Sequence, residues 1–255
     1  MNYQSAIDIL RAQRHYFTTR RPFEVEEKSR ANYVTSIDKQ IEHNIKSALA
    51  LSYPHINFVG EEEIEQKGYH HYWLLDPIDG TQNFIKRQYP SMISLALVED
   101  ETVVFALIYD PYFDDVYHAY KGKGAYLNDE KISVSREVAN HAIVMTGTSP
   151  YNRELTEATF ATLQAVYRNS SDIRRSGSAC YDLVQVATGR ADGYVELLVQ
   201  SWDYAAGYLL VSEAGGEISD KNGASLANMK LGSTSIVATN GLIHQSLLKT
   251  IKERQ

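Results

Sequence analysis

Two aspartates stand three residues apart near the middle of the sequence, in the segment WLLDPIDGTQNF at residues 73–84. The apolar run before them predicts a short buried strand that ends at Asp76. Pro77 has a fixed φ and favours an extended conformation for the residue before it. Gly80 permits a tight turn directly after Asp79. The spacing therefore predicts two carboxylates at a strand end, beside the free backbone N–H groups of the next element.

These groups favour a site for a metal ion and a phosphate. Hard cations bind carboxylate oxygens, and phosphate binds N–H groups at a helix start, so one turn could supply both. An ordinary turn remains an open alternative, because Asp-Pro and Asp-Gly are common turn-forming dipeptides. A calcium loop of the EF-hand type is disfavoured, because its D-x-[DN]-x-[DN]-G spacing is not met.

Three further carboxylates follow apolar segments and could reach the same edge of the packed chain. Asp38 lies near a predicted helix start, where its alternative role is to stabilise the helix dipole. Glu61 follows a short strand and a glycine, and its alternative is a solvated acidic loop with Glu62 and Glu63. Asp203 precedes a predicted helix, and its alternative is a helix N-cap. Each alternative is the simpler explanation for one residue, but the convergence of all of them favours a shared site.

A cluster of four or five acids repels itself unless cations neutralise it. No histidine or cysteine stands beside these carboxylates in the sequence. A ligand set made only of oxygen indicates Mg²⁺, or Mn²⁺ as a substitute, rather than zinc. Two such ions about 3.5–4 Å apart can activate a water and hold the leaving oxygen in an in-line phosphoryl displacement. The residues therefore predict a phosphatase that acts on a small phosphorylated substrate.

Apolar periodicity predicts the elements that must position these groups. Up to about residue 138 we expect helices and an antiparallel sheet, with elements at 1–20, 36–51, 57–59, 73–75, 91–98, 102–109, 116–120 and 124–127. Residues 24–28 are predicted to form a charged loop. Later in the chain strands alternate with helices, at 143–146, 155–167, 173–175, 177–187, 193–198, 203–214, 236–239 and 242–251. This alternation is typical of α/β architecture.

The chain has 255 residues, which suffices for one large domain or for two lobes that share a core. The change of pattern predicts an α+β lobe at about residues 1–138 and an α/β lobe at about 139–255. No linker or low-complexity segment separates them. We therefore expect one α/β unit over residues 1–255.

Composition excludes several classes of protein. The formal net charge of −7 argues against nucleic acid as a primary partner, because phosphate backbones select basic surfaces. No apolar run approaches the ~20 residues that a membrane helix needs, and no signal peptide is recognisable. The single cysteine, Cys180, excludes an internal disulfide and a cysteine-based zinc site. The expected location is the cytoplasm.

Residues 76–84, DPIDGTQNF, resemble the first signature of the inositol monophosphatase family. Residues 202–207, WDYAAG, together with EAGG at 213–216, resemble the second signature. The segments VTSID at 34–38 and GEE at 60–62 are similar to two further family segments. The order and spacing of all four agree over most of the chain.

The resemblance implies a role for each matching residue. The implied metal ligands are Glu61, Asp76, the Ile78 carbonyl, Asp79 and Asp203. The implied catalytic residues are Asp38 and Thr81, which position and activate the attacking water, together with Glu61. The implied substrate contacts are Asp79, Gly80 and Thr81 for the phosphate and Gly177, Ser178, Ala179 and Glu196 for the sugar or alcohol.

The family resemblance also implies a layered αβαβα sandwich of the sugar-phosphatase type, a homodimer, and lithium-sensitive Mg²⁺ chemistry. The implied substrate is inositol monophosphate or a similar small polyol phosphate, and Asn83 matches that branch. A fructose-1,6-bisphosphatase, or a phosphatase for 3′-phosphoadenosine 5′-phosphate or NADP, is an alternative on the same scaffold. A non-catalytic regulatory protein that binds protein or RNA partners is an alternative of another class, although the acidic charge disfavours direct RNA contact.

Overall fold

The computed structural model describes residues 3–63 and 68–252. Within these residues the chain forms eight α-helices, at Gln4–Arg11 (α1), His15–Thr18 (α2), Ser36–Ser52 (α3), Thr81–Lys86 (α4), Thr156–Asn169 (α5), Ala179–Ala187 (α6), Ser201–Glu213 (α7) and His244–Lys252 (α8). The same residues form fourteen β-strands, at Val25–Ser29 (β1), Asn32–Thr35 (β2), Asn57–Gly60 (β3), His71–Asp79 (β4), Met92–Glu99 (β5), Thr102–Asp110 (β6), Asp115–Tyr120 (β7), Gly124–Leu127 (β8), Glu130–Ile132 (β9), Ile143–Thr146 (β10), Asp172–Arg174 (β11), Gly193–Gln200 (β12), Glu217–Ser219 (β13) and Ser233–Thr239 (β14).

The strands of the described residues form two large sheets and one hairpin. Seven strands pair in the order β3-β4-β5-β6-β7-β8-β9, where β3 and β4 are parallel and each later pair is antiparallel. Five strands pair in the order β11-β10-β12-β14-β13, where β10 is parallel to both of its neighbours and β14 is antiparallel to both of its own. Strands β1 and β2 form a separate antiparallel hairpin. The predicted division into lobes near residue 138 falls between the two large sheets and stays a proposal.

Helices α1 and α3 cover one face of the seven-stranded sheet. Leu10 of α1 and Ile41 and Ile45 of α3 share a core with Trp73 and Leu75 of β4, and all five side chains are buried. The apolar residues that repeat every four positions along α3 therefore face the sheet, and the helix predicted over residues 36–51 is confirmed. Burial of each such side chain contributes about 1.5–3 kcal/mol to folding.

Helices α6 and α7 lie between the two large sheets. Leu74 of β4 shares a core with Leu183 of α6 and Leu210 of α7. The outer face of the five-stranded sheet packs on α5 and α8, through Val166 and Ile251. The layers alternate helix, sheet, helix, sheet, helix, which confirms the predicted αβαβα sandwich.

The contact between α6 and α7 is close because α7 carries a glycine at the crossing. A Cβ atom at Gly207 would lie 2.4 Å from Cδ1 of Leu183, so a larger side chain there would force the helices apart. The close approach brings the first turns of both helices together. At that end, Sγ of Cys180 lies 3.1 Å from the Asp203 carbonyl oxygen.

Several of the predicted elements differ from the structure. The helix expected over residues 1–20 is two helices, because bonds from Gln13 N to the Leu10 oxygen and from Arg14 N to the Arg11 oxygen tighten the chain between α1 and α2. The loop expected at 24–28 is wrong, since most of it is strand β1.

Strand β4 does not end at Asp76 but continues to Asp79, because Asp76 pairs with Ser94 and Asp79 pairs with Met92 of β5. The short strands β9 and β13 were not predicted. None of the helices in the described residues combines the length and the apolar composition of a membrane span.

Candidate metal and phosphate site

An open cleft of about 910 Å³, a volume that includes space open to solvent, lies where the end of β4 meets the first turns of α6 and α7. Its walls bring together most of the site residues predicted from the sequence, namely Glu61, Asp76, Ile78, Asp79, Gly80, Thr81, Gly177, Ser178, Ala179, Glu196 and Asp203. Asp38 lies behind this wall and contacts the cleft through Thr81. Residues separated by up to 165 positions in the chain therefore share one site.

The two aspartates of the central segment reach the cleft through an irregularity at the end of β4. The pairing of β4 with β5 shifts register between Asp76 and Asp79, and such shifts re-aim side chains at strand ends. Asp76 is 2% exposed, and its Oδ1 accepts a hydrogen bond from Ile78 N at 3.0 Å. The peptide between the aspartates thus orients the first of them.

Asp79 is held by the first turn of α6. Its carboxylate accepts the N–H groups of Ala179 at 3.2 Å and Cys180 at 2.8 Å, together with the hydroxyl of Ser178. Ser178 is the N-cap of α6, and its Oγ also accepts the N–H of Tyr181 at 3.1 Å. A negative charge at a helix N-terminus is stabilised by the unpaired N–H groups there. Ser178 and Ala179 therefore bind Asp79, which sequence reasoning did not predict for them.

Thr81 is oriented by two oxygens. Its Oγ1 lies 2.9 Å from the Ile78 carbonyl oxygen and 3.3 Å from Oδ1 of Asp38. The other carboxylate oxygen of Asp38 accepts the N–H of Thr35 at 2.8 Å and its hydroxyl at 2.5 Å, within the capping box of α3. Asp38 therefore does stabilise a helix start, and the same side chain also contacts the cleft residue Thr81.

Gly80 forms the turn between β4 and α4. Its φ of 87° lies in the left-handed region that favours glycine, and a Cβ there would lie 3.0 Å from the Pro90 carbonyl oxygen. The first helical bond of this segment runs from Phe84 N to the Gly80 oxygen, at 3.0 Å. The amides just before Phe84 therefore have no helical acceptor.

The acidic loop after β3 directs Glu61 into the cleft. Its N–H donates to the Leu75 carbonyl at 3.1 Å, which extends the pairing with β4 by one residue. Lys28 of the β1–β2 hairpin lies 3.4 Å from Oε1 of Glu61 and 2.7 Å from Oε1 of Glu62. Glu61 lines the cleft, whereas the Glu62 carboxylate binds the lysine. The geometry supports Glu61 over Glu62 as the predicted ligand.

Asp203 occupies the third position of α7 rather than its N-cap. The N-cap is Gln200, whose N–H donates to Oδ2 of Asp203 at 2.8 Å in a capping box. The alternative of a simple N-cap is therefore wrong, although Asp203 does stabilise the start of the helix. The side chain also lines the cleft opposite β4.

The carboxylates of the cleft repel one another when they are ionised. Burial raises the pKa of Asp38 to about 6 and the pKa of Glu61 to about 7. Burial is also the main reason why the pKa values of Asp76, Asp79 and Asp203 are raised, and neighbouring carboxylates raise those of Asp76 and Asp203 further. Ionised together, these groups would destabilise the metal-free protein unless a cation binds.

The donor chemistry fits Mg²⁺ or Mn²⁺, because the predicted ligand atoms are carboxylate and carbonyl oxygens. In residues 3–63 and 68–252, no three His, Cys, Asp or Glu side chains already form a compact metal-binding group. In the described residues Asp79 is bonded to α6 and Glu61 is paired with Lys28. In the part of the chain that the structure describes, Lys28 is the one cationic side chain paired with a predicted ligand.

Comparison with known proteins identifies the family. The sequence profile described as the inositol monophosphatase family matches residues 1–255. The chain belongs to this family. The chain is 40% identical over 204 residues to the Nus factor SuhB of Xylella fastidiosa, which covers 80% of the chain and 74% of the relative. It is 38% identical over 228 residues to the inositol-1-monophosphatase of Rhizobium meliloti, with 88% and 85% covered. It is 33% identical over 231 residues to a fructose-1,6-bisphosphatase/inositol-1-monophosphatase of Aquifex aeolicus, with 90% and 85% covered.

Solved structures of the inositol monophosphatase family share the fold over nearly the whole chain. The Thermotoga maritima IMPase superposes with a TM-score of 0.89 at 31% identity, covering 98% of this chain and 96% of that one. An IMPase/NADP phosphatase in complex with Mg²⁺ and phosphate superposes with a TM-score of 0.80 at 25% identity, covering 89% and 85%.

Glu196, which family resemblance places at the substrate, lies within strand β12 rather than at its end, because the strand continues to Gln200. Its Oε1 accepts the N–H of Ser149 at 2.7 Å and the hydroxyl of Ser149 at 2.9 Å. Its Oε2 accepts the hydroxyl of Tyr194 at 2.6 Å. A Cβ at Gly147 would lie 1.6 Å from Oε2, so the loop after β10 closes directly over this carboxylate. Glu196 lines the cleft and at the same time supports that loop.

Sequence reasoning did not predict five residues in or around the cleft, which are Lys28, Glu42, Tyr151, Arg175 and Cys180. Lys28 lies in the charged stretch at 24–28, most of which is strand β1 rather than the predicted loop. Cys180 stands beside none of the carboxylates in the sequence, but the fold brings its N–H to Asp79, to which it donates. The position of Cys180, directly after the predicted substrate contacts at 177–179, is the feature of the sequence that could have indicated this contact. Arg175 lines the cleft and donates through Nε to Oγ1 of Thr148 at 3.1 Å.

Proposed function

We propose that the protein is a Mg²⁺-dependent phosphomonoesterase that hydrolyses inositol monophosphate or a similar small polyol phosphate. The observation that carries the proposal is the convergence of Glu61, Asp76, Asp79 and Asp203 on one cleft, beside a threonine hydroxyl that contacts Asp38. Membership of the inositol monophosphatase family supports the reaction class. The substrate rests on the relatives and on the polar wall around Glu196.

The metal would be held by Glu61, Asp76, the Ile78 carbonyl, Asp79 and Asp203. When bound, Mg²⁺ supplies a more acidic water and stabilises charge on the phosphoryl and leaving oxygens. The protein contributes ligands of fixed orientation. Ile78 N orients Asp76, the start of α6 orients Asp79, and Gln200 N orients Asp203.

Thr81 and Asp38 would prepare the attacking water. The Thr81 hydroxyl is held between the Ile78 oxygen and Asp38. Asp38 is 1% exposed, and burial raises its pKa to about 6, so it can accept a proton near neutral pH. A proton that leaves the water could pass through the Thr81 hydroxyl to this carboxylate. The amides of the turn at Gly80 and Thr81 would donate to the phosphate.

The other wall of the cleft would bind the alcohol part of the substrate. Gly177 and Glu196 face the cleft, and Arg175 lies beside them. Burial raises the pKa of Glu196, and bonds from Tyr194 and Ser149 oppose that rise. A carboxylate held in this way retains lone pairs that can accept hydroxyl hydrogens. A wall of this chemistry suits a polyol.

A second candidate function is regulatory, because the relative at 40% identity is named a Nus factor rather than a phosphatase. The complete set of predicted ligands in the cleft favours catalysis. The names of the Aquifex relative and of the Mg²⁺ and phosphate complex also keep bisphosphate and NADP substrates among the candidates. The homodimer expected from family resemblance stays a prediction.

The test is a phosphate-release assay with inositol-1-phosphate, fructose-1,6-bisphosphate, adenosine 3′,5′-bisphosphate and NADP, with Mg²⁺ and with EDTA. We expect Mg²⁺-dependent release that is fastest for inositol-1-phosphate. Asp76→Asn removes one predicted ligand and should abolish release, whereas the exposed Glu157→Gln should not change it. No release from any substrate with Mg²⁺ would refute catalysis and favour the regulatory function.

A further inference from the structure

Glu42 is a buried acid that binds the backbone of the loop carrying Glu61. It lies on α3 one turn after Asp38 and is 2% exposed. Its Oε2 accepts the N–H of Glu62 at 3.0 Å, and its Oε1 accepts the N–H of Glu63 at 2.9 Å. Both carboxylate oxygens therefore hold consecutive amides directly after Glu61.

The loop approaches this carboxylate so closely that any side chain at position 60 would displace it. A Cβ at Gly60 would lie 2.3 Å from Cδ of Glu42 and 2.4–2.5 Å from its two oxygens. The φ of Gly60 is not in the left-handed region, so conformational freedom is not the reason for the glycine. The close approach of Glu42 is the reason, and it places the end of β3 directly against α3.

A buried carboxylate at position 42 costs free energy of folding. Burial and the nearby charges of Glu62 and Glu63 raise the pKa of Glu42, while the two amide bonds lower it. In this geometry each N–H meets a different oxygen, so a glutamine would place its amide nitrogen, which is a donor, against one of the two N–H groups. A carboxylate is the side chain of this length that can accept both.

The lysines near the loop do not replace this contact. Lys28 binds the side chains of Glu61 and Glu62, and Lys46 binds the side chain of Glu63 at 2.6 Å. These ion pairs leave the loop backbone to Glu42 and to the bond from Glu61 N to the Leu75 oxygen. The bond to the Leu75 oxygen fixes the loop where it enters Glu61, and the Glu42 carboxylate fixes the loop directly after Glu61.

We propose that Glu42 is a positioning residue for the metal site, which fixes the backbone after Glu61 so that the Glu61 carboxylate faces the cleft. The inference rests on the proposed function, in which Glu61 binds Mg²⁺. Groups that orient metal ligands without touching the metal typically change metal affinity by 10- to 100-fold when they are replaced. Glu42 would act in this way through two peptide groups.

The first test measures Mg²⁺ affinity by isothermal titration calorimetry for Glu42→Ala and Glu42→Gln. Both variants should raise the Kd about 10- to 100-fold. Glu157→Gln makes the same charge change at an exposed site on α5 and should leave the Kd unchanged. Amide hydrogen exchange in EDTA supplies a readout without metal, in which the amides of Glu62 and Glu63 should exchange faster in both Glu42 variants.

The second test uses the contact between Gly60 and Glu42. Gly60→Ala should displace the Glu42 carboxylate and weaken Mg²⁺ binding on its own. In a Glu42→Ala background the added methyl group meets no carboxylate, so Gly60→Ala should cost little more. This non-additivity is the expected signature of two residues that act through one contact.

The outcomes separate the two proposals. Absence of Mg²⁺ binding by the wild type would refute the proposed function, and with it the role of Glu42. Normal wild-type binding with Kd values within twofold in both Glu42 variants would refute only the positioning role. If Glu42→Ala does not fold, Glu42→Gln, which conserves the volume, decides the question by the same measurements.

Discussion

Replacement of Glu61 by glutamine tests the electrostatics of the cleft through stability rather than through turnover. The change keeps the volume of the side chain and removes one charge from the carboxylate cluster. In the metal-free protein, burial raises the pKa of Glu61 from 4.5 to about 7. The folded state therefore binds more protons than the unfolded state between these values, and the stability of the wild type falls as pH rises through this range.

The size of the effect follows from the two pKa values. At pH 8 the ionisation of Glu61 costs the metal-free fold about 3 kcal/mol, and at pH 5 the cost is under about 1 kcal/mol. The pKa of about 7 already includes the attraction of Lys28, which lowers it, so the lost ion pair is not subtracted a second time. Glu61→Gln should thus be more stable than wild type by about 3 kcal/mol at pH 8, which raises Tm by roughly 6–12 °C in a chain of this size.

The assay is thermal unfolding of both proteins in EDTA at pH 5 and pH 8, and again with Mg²⁺. Mg²⁺ at a hundredfold excess over Kd adds about 2.7 kcal/mol to the free energy of unfolding of the wild type and much less to that of a variant that lacks a ligand. The difference in Tm between the two proteins should therefore become small. Glu63→Gln, on the exposed side of the same loop, is the matched control and should show neither effect. A Glu61→Gln variant that is less stable than wild type in EDTA at pH 8 would refute the reasoning.

Three further predictions concern other parts of the cleft. Asp203→Asn should lower turnover by orders of magnitude while Tm stays within a few degrees, because Asn can still accept the bond at the start of α7; turnover within a few-fold of wild type would leave Asp203 with a structural role. Glu196→Ala should lower kcat/KM for inositol-1-phosphate much more than for an aryl phosphate, whereas an equal loss on both would assign Glu196 to support of the loop at Ser149. Gly80→Ala should destabilise by about 1–2 kcal/mol for its left-handed φ, plus the cost of crowding. Gly122→Ala, which has a φ of 73° and no atom within 4 Å, measures the conformational part alone by chemical denaturation.

The layered fold could be predicted where packing imposes a regular pattern. The apolar residues that repeat every four positions in α3 face the sheet, and the two apolar runs between Ser91 and Tyr109, with a charged turn between them, pair as a hairpin. Strand β1 could not be predicted in this way, because all five of its residues are exposed and no periodic pattern forms. Strand β4 continues past Asp76 because of its partner strand, which is information that the local sequence does not contain.

The candidate site could be predicted as a set of acids but not as an arrangement. The signatures identified Asp76 and Asp203, and the cleft brings them together. Two of the groups that orient the acids stand far away in the chain, namely Cys180 from Asp79 and Glu42 from the loop after Glu61. Such contacts depend on how the layers pack, so periodicity and motif spacing carry no trace of them.

The attachment of Asp79 to α6 has a consequence for the order in which the molecule comes apart. Asp79 ends a strand of the seven-stranded sheet, while its three donors belong to the helix layer that leads into β12 of the other sheet. Asn83 adds a second tie, since its Nδ2 donates to the carbonyls of Pro90 at 2.7 Å and Ser176 at 3.0 Å. If a partial unfolding event separates these two layers, Asp79 loses all three of its hydrogen-bond donors at once, although both sheets stay folded. Under increasing denaturant, activity should therefore vanish before the circular dichroism signal falls, and bound ligand should delay that first step.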